Sequence, residues 1–561
     1  MPTSTDKVNA QFGNYERHTW LNEDYITYQT NVKKAHNISV MAGVSLQGSK
    51  YKYYTMKTTR IPYETLGMAG MQDGTPNTIT SGQTDWTMFS YYGRFSYDYK
   101  SRYYVTATFR ADGSSKMAEG NKFGYFPSAS VAWSISEEKW AKAADPWLSN
   151  AKLRASWGQT GNNRVGEYDS YAQLLQMKRL TDGIYSGVYA TENQLSTGVV
   201  PITLENKNLK WETTTQTDIG LDLGFFSDRL EFIVDWYYKV TDDLLLAADM
   251  APSTGYPVAT KNIGSVLNHG WEFSFNAQPV KMKNFTWDMS FNIAFNKNEV
   301  LALAEGQSAM LTNARFDQQY TGANYIAKVG MPIGMMYGYI YEGTYKDEDF
   351  EGGVLRDGVA AFVSEQNPKP GYPRYADLNG DGVVDSNDQT IIGRGDPIHT
   401  GGFTNTFSFY GVDISIFFQW SYGNNILNAN RLFFDNGNKT KDLNMYASYA
   451  DRWTEENRTS DIPRVSDSGS NKVFSSRVIE DGSYIRLKNL SIGYTFSDKL
   501  VKRARMTKAR LYFSAQNVFT ATNYSGYDPE VSIKNSALTP GLDFSAYPRA
   551  MTFNFGVSLG F

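Results

Sequence analysis

The stretch from Asp377 to Asp388 reads Asp-Leu-Asn-Gly-Asp-Gly-Val-Val-Asp-Ser-Asn-Asp, and its spacing is that of a calcium loop. Asp377, Asn379 and Asp381 take its first, third and fifth positions. Gly382 supplies the tight turn at the sixth and Val383 a backbone carbonyl at the seventh. Asp385 falls at the ninth and Asp388 at the twelfth. Oxygen ligands at alternate positions wrap around a hard cation, and carboxylates this close repel one another unless a cation is present. The expected metal ligands are therefore Asp377, Asn379, Asp381, Val383, Asp385 and Asp388, with Ca2+ as a structural cofactor. The competing reading is a solvated turn built on Asn-Gly and Asp-Gly.

Other chemistry is poorly served. With no cysteine there are no disulfides, thiolate nucleophiles or Cys-ligated metals, and the four histidines, His18, His36, His269 and His399, are scattered. Gly556-Val-Ser-Leu-Gly560 matches a nucleophile elbow, but no histidine follows it and it lies in an alternating strand. The basic run Lys502–Arg510 falls in an expected turn, where phospholipid headgroups are better partners than nucleic acid. Arg394-Gly-Asp396 is too short to carry weight, and nothing places Glu137 and Glu138 around a scissile bond. No catalytic residue is assigned, and the protein is not expected to be an enzyme.

The elements that must position these residues are strands. The chain has 561 residues, 54 Lys and Arg against 58 Asp and Glu, a net charge of −4 and 15% aromatics. That balance argues against a nucleic-acid partner. No apolar run is long enough for a spanning helix, and the first residues lack the apolar core of a signal peptide. Membrane β-strands never produce such a run, because they alternate. In 285–295 the positions Phe285, Trp287, Met289, Phe291, Ile293 and Phe295 are large and apolar, whereas Thr286, Asp288, Ser290, Asn292 and Ala294 are polar or small. Segments 230–238, 271–275, 414–420 and 551–561 repeat the pattern.

A soluble sandwich also alternates, but with shorter strands and an aliphatic buried face. Here strands of about ten residues or more carry Phe, Trp and Tyr on one face, often near strand ends, as at Phe109, Trp133, Trp157, Phe225 and Trp420. The pattern predicts an all-β fold, a transmembrane antiparallel barrel with roughly sixteen strands in this chain. Helical signal is confined to Ser136–Lys142 and Leu443–Trp453. Tight connections at 226–229, 281–284 and 410–413 contrast with long ones at 160–210, 297–334, 347–399, 425–481 and 522–549. Counting back from Phe561, with the final strand ending in the periplasm, places 425–481, 522–549 and the stretch before strand 400–410 outside the cell. The long loops carry Tyr446, Tyr449, Trp453, Phe474, Tyr524 and Tyr527, suited either to a glycan or peptide ligand or to loop packing and a partner protein.

Several motifs, taken in order, resemble one family. They are Gly93–Ser115 with Phe123–Trp133, then Leu153-Arg-Ala-Ser-Trp-Gly-Gln-Thr-Gly-Asn162 and Trp211-Glu-Thr-Thr-Thr-Gln-Thr-Asp-Ile-Gly-Leu221. Asp235–Leu245, Asn262–Glu272, Tyr375–Gly382, Tyr484-Ile-Arg-Leu-Lys-Asn-Leu490 and Ser514-Ala-Gln-Asn-Val-Phe-Thr520 continue the series. Together they resemble the SusC/RagA family of TonB-linked outer-membrane transporters. The resemblance implies that residues 1–561 form the C-terminal portion of a barrel of about twenty-two strands, with the plug domain and TonB box absent from this sequence.

It further implies TonB-dependent import of oligosaccharide or peptide across a Gram-negative, Bacteroidetes-like outer membrane. The implied partners are a SusD-like surface lipoprotein, TonB acting through the plug region, outer-membrane lipid and the imported substrate. The alternatives are a passive pore or adhesion barrel without energy coupling and, from a third class, a surface hydrolase.

Overall fold

Period-two alternation becomes hydrogen-bonded ladders in the computed structural model, which describes residues 8–62, 64–145, 147–176, 188–191, 194–249, 255–256, 258–304, 306–318, 320–363, 365, 367–435, 444–465, 473–534 and 536–561. Fifteen strands make the main sheet among these residues: β1 (Val8–Val32), β2 (His36–Ile61), β3 (Thr75–Tyr99), β4 (Tyr103–Ser114), β5 (Phe123–Ser134), β6 (Leu148–Asn162), β7 (Glu212–Phe225), β8 (Leu230–Asp242), β9 (Ser265–Met282), β10 (Phe285–Ala302), β11 (His399–Phe409), β12 (Val412–Tyr422), β13 (Tyr484–Thr495), β14 (Lys508–Thr522) and β15 (Thr552–Gly560). Each strand neighbours its predecessor in chain order, a simple meander. The chain divides into two compact units. One is Met1–Trp133, Arg154–Thr217 and Val240–Ser265; the other is Ser134–Leu153, Asp218–Lys239 and Val266–Phe561.

In the first unit, β2 pairs with β3 and β3 with β4 in antiparallel register. Val40, Phe95 and Ala107 line up across the three strands, as do Val44, Tyr91 and Ala111, so apolar side chains share one face. The other face aligns Ser39, Ser96 and Thr106, then Ser45, Ser90 and Asp112. Val40, Val44, Tyr91, Phe95 and Phe109 are exposed on the apolar face, an arrangement suited to lipid and costly in water. β1 to β3 have 25, 26 and 25 residues, about 80 Å at 3.3 Å per residue, far more than an apolar band about 25 Å tall requires.

A small core at the ends of β5 and β6 explains two of the sequence motifs. Trp211 packs edge-on against Phe126 at 5.6 Å, and its indole N–H donates to the Lys122 carbonyl at 2.9 Å. Gly161 leaves room for this cluster, since a Cβ there would meet the Phe126 ring at 2.1 Å.

In the second unit, the register of β10 on β11 places Phe285 opposite Phe409, Trp287 opposite Phe407 and Phe291 opposite Phe403. Between them Thr286 faces Ser408 and Ser290 faces Thr404. Trp287 stacks on Phe407 at 5.8 Å, and Phe291 stacks on Trp420 of β12 at 5.6 Å. On β15 the apolar set is exposed, with Phe555 at 81%.

Connection length alternates between short and long from β6 onward. Residues 33–35, 100–102, 226–229, 283–284 and 410–411 make tight turns, the last with φ of 48° at Tyr410 and 86° at Gly411, as a twist-matched hairpin requires. The turns 135–147 and 496–507 are longer and carry short helical segments, Ile135–Glu137, Ala141–Ala144 and Asp498–Arg503. The alternate connections 163–211, 243–264, 303–398, 423–483 and 523–551 are long, whereas 62–74 and 115–122 are not. The two stretches expected as separate, 297–334 and 347–399, belong to one connection between β10 and β11, and fifteen sheet strands result where about sixteen were expected. The alternating segments inside it, Met335–Gly338 and Tyr341–Thr344, pair locally with Thr390–Arg394 and Pro373–Tyr375 instead of joining the main sheet. Helical signal at Leu443–Trp453 becomes a single 3-10 turn at Ala447–Asp451, and Leu443 lies outside the described residues.

If the exposed face meets lipid, the two faces of β15 respond oppositely to charge. Phe555→Arg is expected to cost about 2–4 kcal/mol of folding free energy if it lies near the bilayer midplane. Asn554→Arg, on the face that carries Ser514 opposite it, should fold like the wild type. Urea titration of refolding into lipid vesicles, read by heat-modifiable gel mobility, checks this.

Candidate functional site

The acidic loop is fixed at both ends by sheet pairing within the second unit. Pro373–Tyr375 pairs with Tyr341–Thr344 on its N-terminal side, and Thr390–Arg394 pairs with Met335–Gly338 on its C-terminal side. Val383–Val384 adds a parallel bridge to Ala361–Phe362. Beneath lie the buried side chains of Tyr339, Phe362, Tyr375 and Val384. Gly380 and Gly382 have φ of 75° and 83°, so the turn expected at Gly382 forms.

Within the loop the carboxylates fold back onto the backbone. Asp377 accepts from the N–H of Gly380 at 2.7 Å and of Gly382 at 2.8 Å. Asn379 Oδ1 accepts from Asp381 N–H at 2.9 Å, and Asp381 Oδ1 from Val383 N–H at 2.9 Å. Asp385 caps Asn387 N–H at 2.7 Å. Asp388 is buried and accepts from three N–H groups, those of Leu378 at 2.8 Å, Asn379 at 3.3 Å and Asp385 at 2.8 Å. Backbone donors thus meet part of the charge repulsion that the sequence implied. Burial pushes the Asp388 carboxyl up, but these N–H groups outweigh it and hold it below the usual carboxylate range. Among the described residues no group of three or more His, Cys, Asp or Glu is gathered at metal-binding distance. Asp377, Asn379, Asp381, Val383, Asp385 and Asp388 therefore share one ordered turn, and each carboxylate oxygen except Oδ1 of Asp388, which accepts twice, keeps a lone pair beyond its hydrogen bonds.

The three longest connections of this unit pack into one body. Tyr320, Tyr325 and Met336 from 303–398, Leu427, Leu432, Phe474 and Val478 from 423–483, and Leu542 from 523–551 share a buried cluster. Asn425–Asn428 is its central strand, antiparallel to Ile479–Asp481 and parallel to Leu542–Asp543. Burial pushes the Tyr325 hydroxyl far up in pKa, and that hydroxyl donates to the Pro540 carbonyl at 2.9 Å.

Ion pairs brace two of these connections, one network inside 423–483 and another tying β13 to 523–551. Arg431 reaches Glu480 at 2.5 Å and Asp435 at 2.6 Å, and Arg477 adds a second contact to Asp435 at 3.0 Å. Burial alone would raise the Glu480 carboxyl, but the Ser525 N–H and hydroxyl and the Arg431 guanidinium pull it below its ordinary value. At the start of β13 the buried Arg486 binds Asp528 at 2.5 Å and Glu530 at 3.0 Å, and Lys488 and Arg549 also reach Glu530. Sequence reasoning missed both networks, because most of their partners, such as Arg431 with Glu480 and Arg486 with Asp528, lie 42 to 49 residues apart with no spacing rule to join them.

Of the six loop aromatics, Tyr449, Trp453, Phe474 and Tyr524 are buried and serve packing. Tyr446 and Tyr527 instead line a cleft of about 650 Å³ formed by segments 430–434, 444–448, 525–527 and 543–546. The discarded motifs stay discarded. Gly556–Gly560 lies within β15, Lys502 and Arg503 sit in a short helix, Arg510 pairs with Asp413 at 2.7 Å, and Arg394 bonds the carbonyl of Asp396.

A long antiparallel meander with alternating turn lengths, an outward apolar face and a packed loop body defines a membrane-barrel type of receptor domain. A family model described as TonB dependent receptor-like, beta-barrel, matches residues 2–518, and the chain belongs to that family. TonB-dependent receptor P3 of Formosa agariphila is 35% identical over 558 residues, covering 96% of this chain and 52% of that protein. SusC of Bacteroides thetaiotaomicron is 32% identical over 482 residues, covering 85% of this chain and 44% of SusC. The RagAB peptide transporter superposes with a TM-score of 0.81 at 22% identity, over 99% of this chain and 56% of that one. The SusC/RagA resemblance drawn from the motifs therefore holds, and the chain spans about half the length of the curated relatives it matches.

The Asp388 clasp has a definite pH dependence. A carboxyl whose folded pKa is depressed contributes stability above its unfolded value, about 3.9, and loses it as pH falls through the folded value. Amide exchange at Leu378, Asn379 and Asp385 should therefore show protection that is flat from pH 8 to about pH 5 and weakens below about pH 4. Asp388→Ala should speed exchange of these amides at pH 7 by about tenfold or more, the effect of one lost charge-assisted hydrogen bond.

Proposed function

We propose that this chain forms most of the outer-membrane barrel wall of a TonB-dependent importer of oligosaccharide or peptide, working with a SusD-like surface lipoprotein. The observation that carries the reading is the family match over residues 2–518. The alternation of short and long connections from β6 onward supports it, since outer-membrane barrels keep short turns on the periplasmic side. β1 pairs only with β2 among the described residues, and an open strand edge is untenable in hydrocarbon. The fifteen strands are thus read as the C-terminal part of a barrel of about twenty-two strands, completed by strands and a plug encoded ahead of them. Force from TonB then acts through that plug, and the long connections face outward toward the lipoprotein and substrate.

Uptake tests the coupling. In a host whose growth on a polymeric nutrient requires this protein, deleting TonB or the adjacent lipoprotein should abolish growth on that nutrient. Uptake that persists without TonB overturns the reading in favour of a passive pore.

The acidic loop is part of the same proposal. By the strand count it faces outside, where calcium is abundant and loops of this kind bind with Kd of roughly 10⁻⁴–10⁻³ M. Its oxygen donors suit a hard cation, and binding would tie 377–388 to the hairpin leading into β11. Calorimetry with Ca2+ on the purified protein should show one site that Asp377→Ala/Asp381→Ala abolishes with the barrel still folded. No heat in the wild type, or equal heat in the double variant, leaves the loop a turn.

A further inference from the structure

We propose that the turn joining β13 to β14 binds an anionic diacyl phospholipid, its cations meeting the headgroup and the apolar face of β14 and β15 an acyl chain. The inference goes beyond uptake and rests on that reading only for the side of the membrane. By the strand count this turn is periplasmic, at the inner leaflet.

Charge selects the headgroup. Lys499, Lys502, Arg503, Arg505 and Lys508 stand within ten residues, and Asp498 is the one acid of 496–508. Five cations less one carboxylate give this turn a charge of +4, in a chain whose net charge is −4. All five cations are exposed, and none has a side-chain hydrogen bond or ion pair among the described residues. Arg510, two residues further on, is by contrast paired with Asp413 at 2.7 Å. Clusters of about four to eight Lys and Arg beside a membrane attract anionic lipid. A zwitterionic headgroup brings its own cation, so it gains little from them.

The surroundings select a lipid over a soluble anion. Phe496 N–H donates to the Ala509 carbonyl at 3.0 Å, Met506 N–H to that of Val501 at 2.9 Å and Thr507 N–H to that of Gly560 at 2.8 Å. With Val501 and Ala509 buried, these bonds hold the short helix Asp498–Arg503 to the strand ends. Leu500, between Lys499 and Lys502 in sequence, is nevertheless 51% exposed.

Lys508 is paired in register with Gly560, the next pair is Ala509 with Leu559, and Leu511 with Val557 continues the same face. Leu511, Val557 and Leu559 are all exposed, so the apolar row begins one register position from the last cation. Lys and Arg stems lie along such a surface while their heads reach a phosphate. A nucleic acid, for which the basic run was set aside, has no use for these apolar groups.

The test is native mass spectrometry of the protein, purified from outer membranes, in detergent micelles doped with equal amounts of phosphatidylglycerol and phosphatidylcholine. Phosphatidylglycerol should be retained in preference by at least about fivefold. Lys499→Ala/Lys502→Ala/Arg503→Ala should cut its retention by at least about tenfold and leave phosphatidylcholine unchanged. Alanine suits the helix that carries these residues, so heat-modifiable mobility should not change. Neither inorganic phosphate nor glycerophosphoglycerol, the headgroup without its chains, should displace the lipid when in excess. The wild-type preference should also fall as ionic strength rises, a readout that needs no variant.

Equal retention of the two lipids, a preference insensitive to salt, or unchanged retention in the triple variant overturns the site. Displacement by phosphate or by the bare headgroup makes it a soluble-anion site and overturns it too. The leaflet is tested apart. Ser497→Cys places a thiol on an exposed position of a chain with no cysteine. A membrane-impermeant maleimide should label it, relative to the unsubstituted protein, only after the outer membrane is permeabilised. Labelling of intact cells overturns the leaflet and the strand count, whatever lipid is retained in micelles. Growth that persists without TonB overturns transport and leaves the lipid site standing.

Discussion

A backbone amide in hydrocarbon has no water to fall back on, so every N–H and C=O in the spanning wall must be paired between strands. That single demand organises the chain. Once a strand is fully laddered its side chains can only alternate, and the two faces become two chemical surfaces. The β10–β11 register makes this plain: Phe291 meets Phe403 on one face, while the neighbouring pair Ser290 and Thr404 meets on the other. A slip of one residue would move the entire aromatic row to the polar face, so the hydrophobic pattern also fixes register.

The same demand explains why the connections divide labour. A tight turn adds few backbone groups of its own, and Tyr410–Gly411 satisfies the hairpin with two positive-φ residues. A connection of nearly a hundred residues, such as that between β10 and β11, must satisfy its own polar groups. It does so by making small sheets of its own, by burying tyrosines whose hydroxyls find carbonyls, and by folding Asp side chains back onto N–H groups. The long loops behave physically as a small globular domain with its own core.

Legibility in the sequence followed interaction range. Period-two strands, the turn at 410–411 and the glycine turn at Gly382 depend on neighbours one to three residues away, and all were readable. The calcium-loop spacing was equally visible, yet spacing says nothing of where each oxygen points, and Asp388 proved to clasp three N–H groups. Met335–Gly338 and Tyr341–Thr344 alternate like wall strands but pair inside a loop, because alternation reports a half-buried strand and not its partner. The six loop aromatics looked alike in sequence. Only the fold separates buried Tyr524 from exposed Tyr527, three residues away.

What braces two of the long connections is mostly arginine, and the choice has a mechanical consequence. A guanidinium can serve several acceptors at fixed angles, so Arg431 ties Glu480, Asp435 and Ser525 together, and Arg486 ties Thr520, Asp528 and Glu530. Pulling one partner away from a buried pair strands a charge, at a cost of about 3–5 kcal/mol. Shifting the connections together breaks none of these pairs. The low-energy motion of these two connections is therefore a concerted one, in which the cleft moves with the residues that hold it. A ligand or partner that engages 423–483 is then felt by 523–551 through Ser525, which bonds both Arg431 and Glu480.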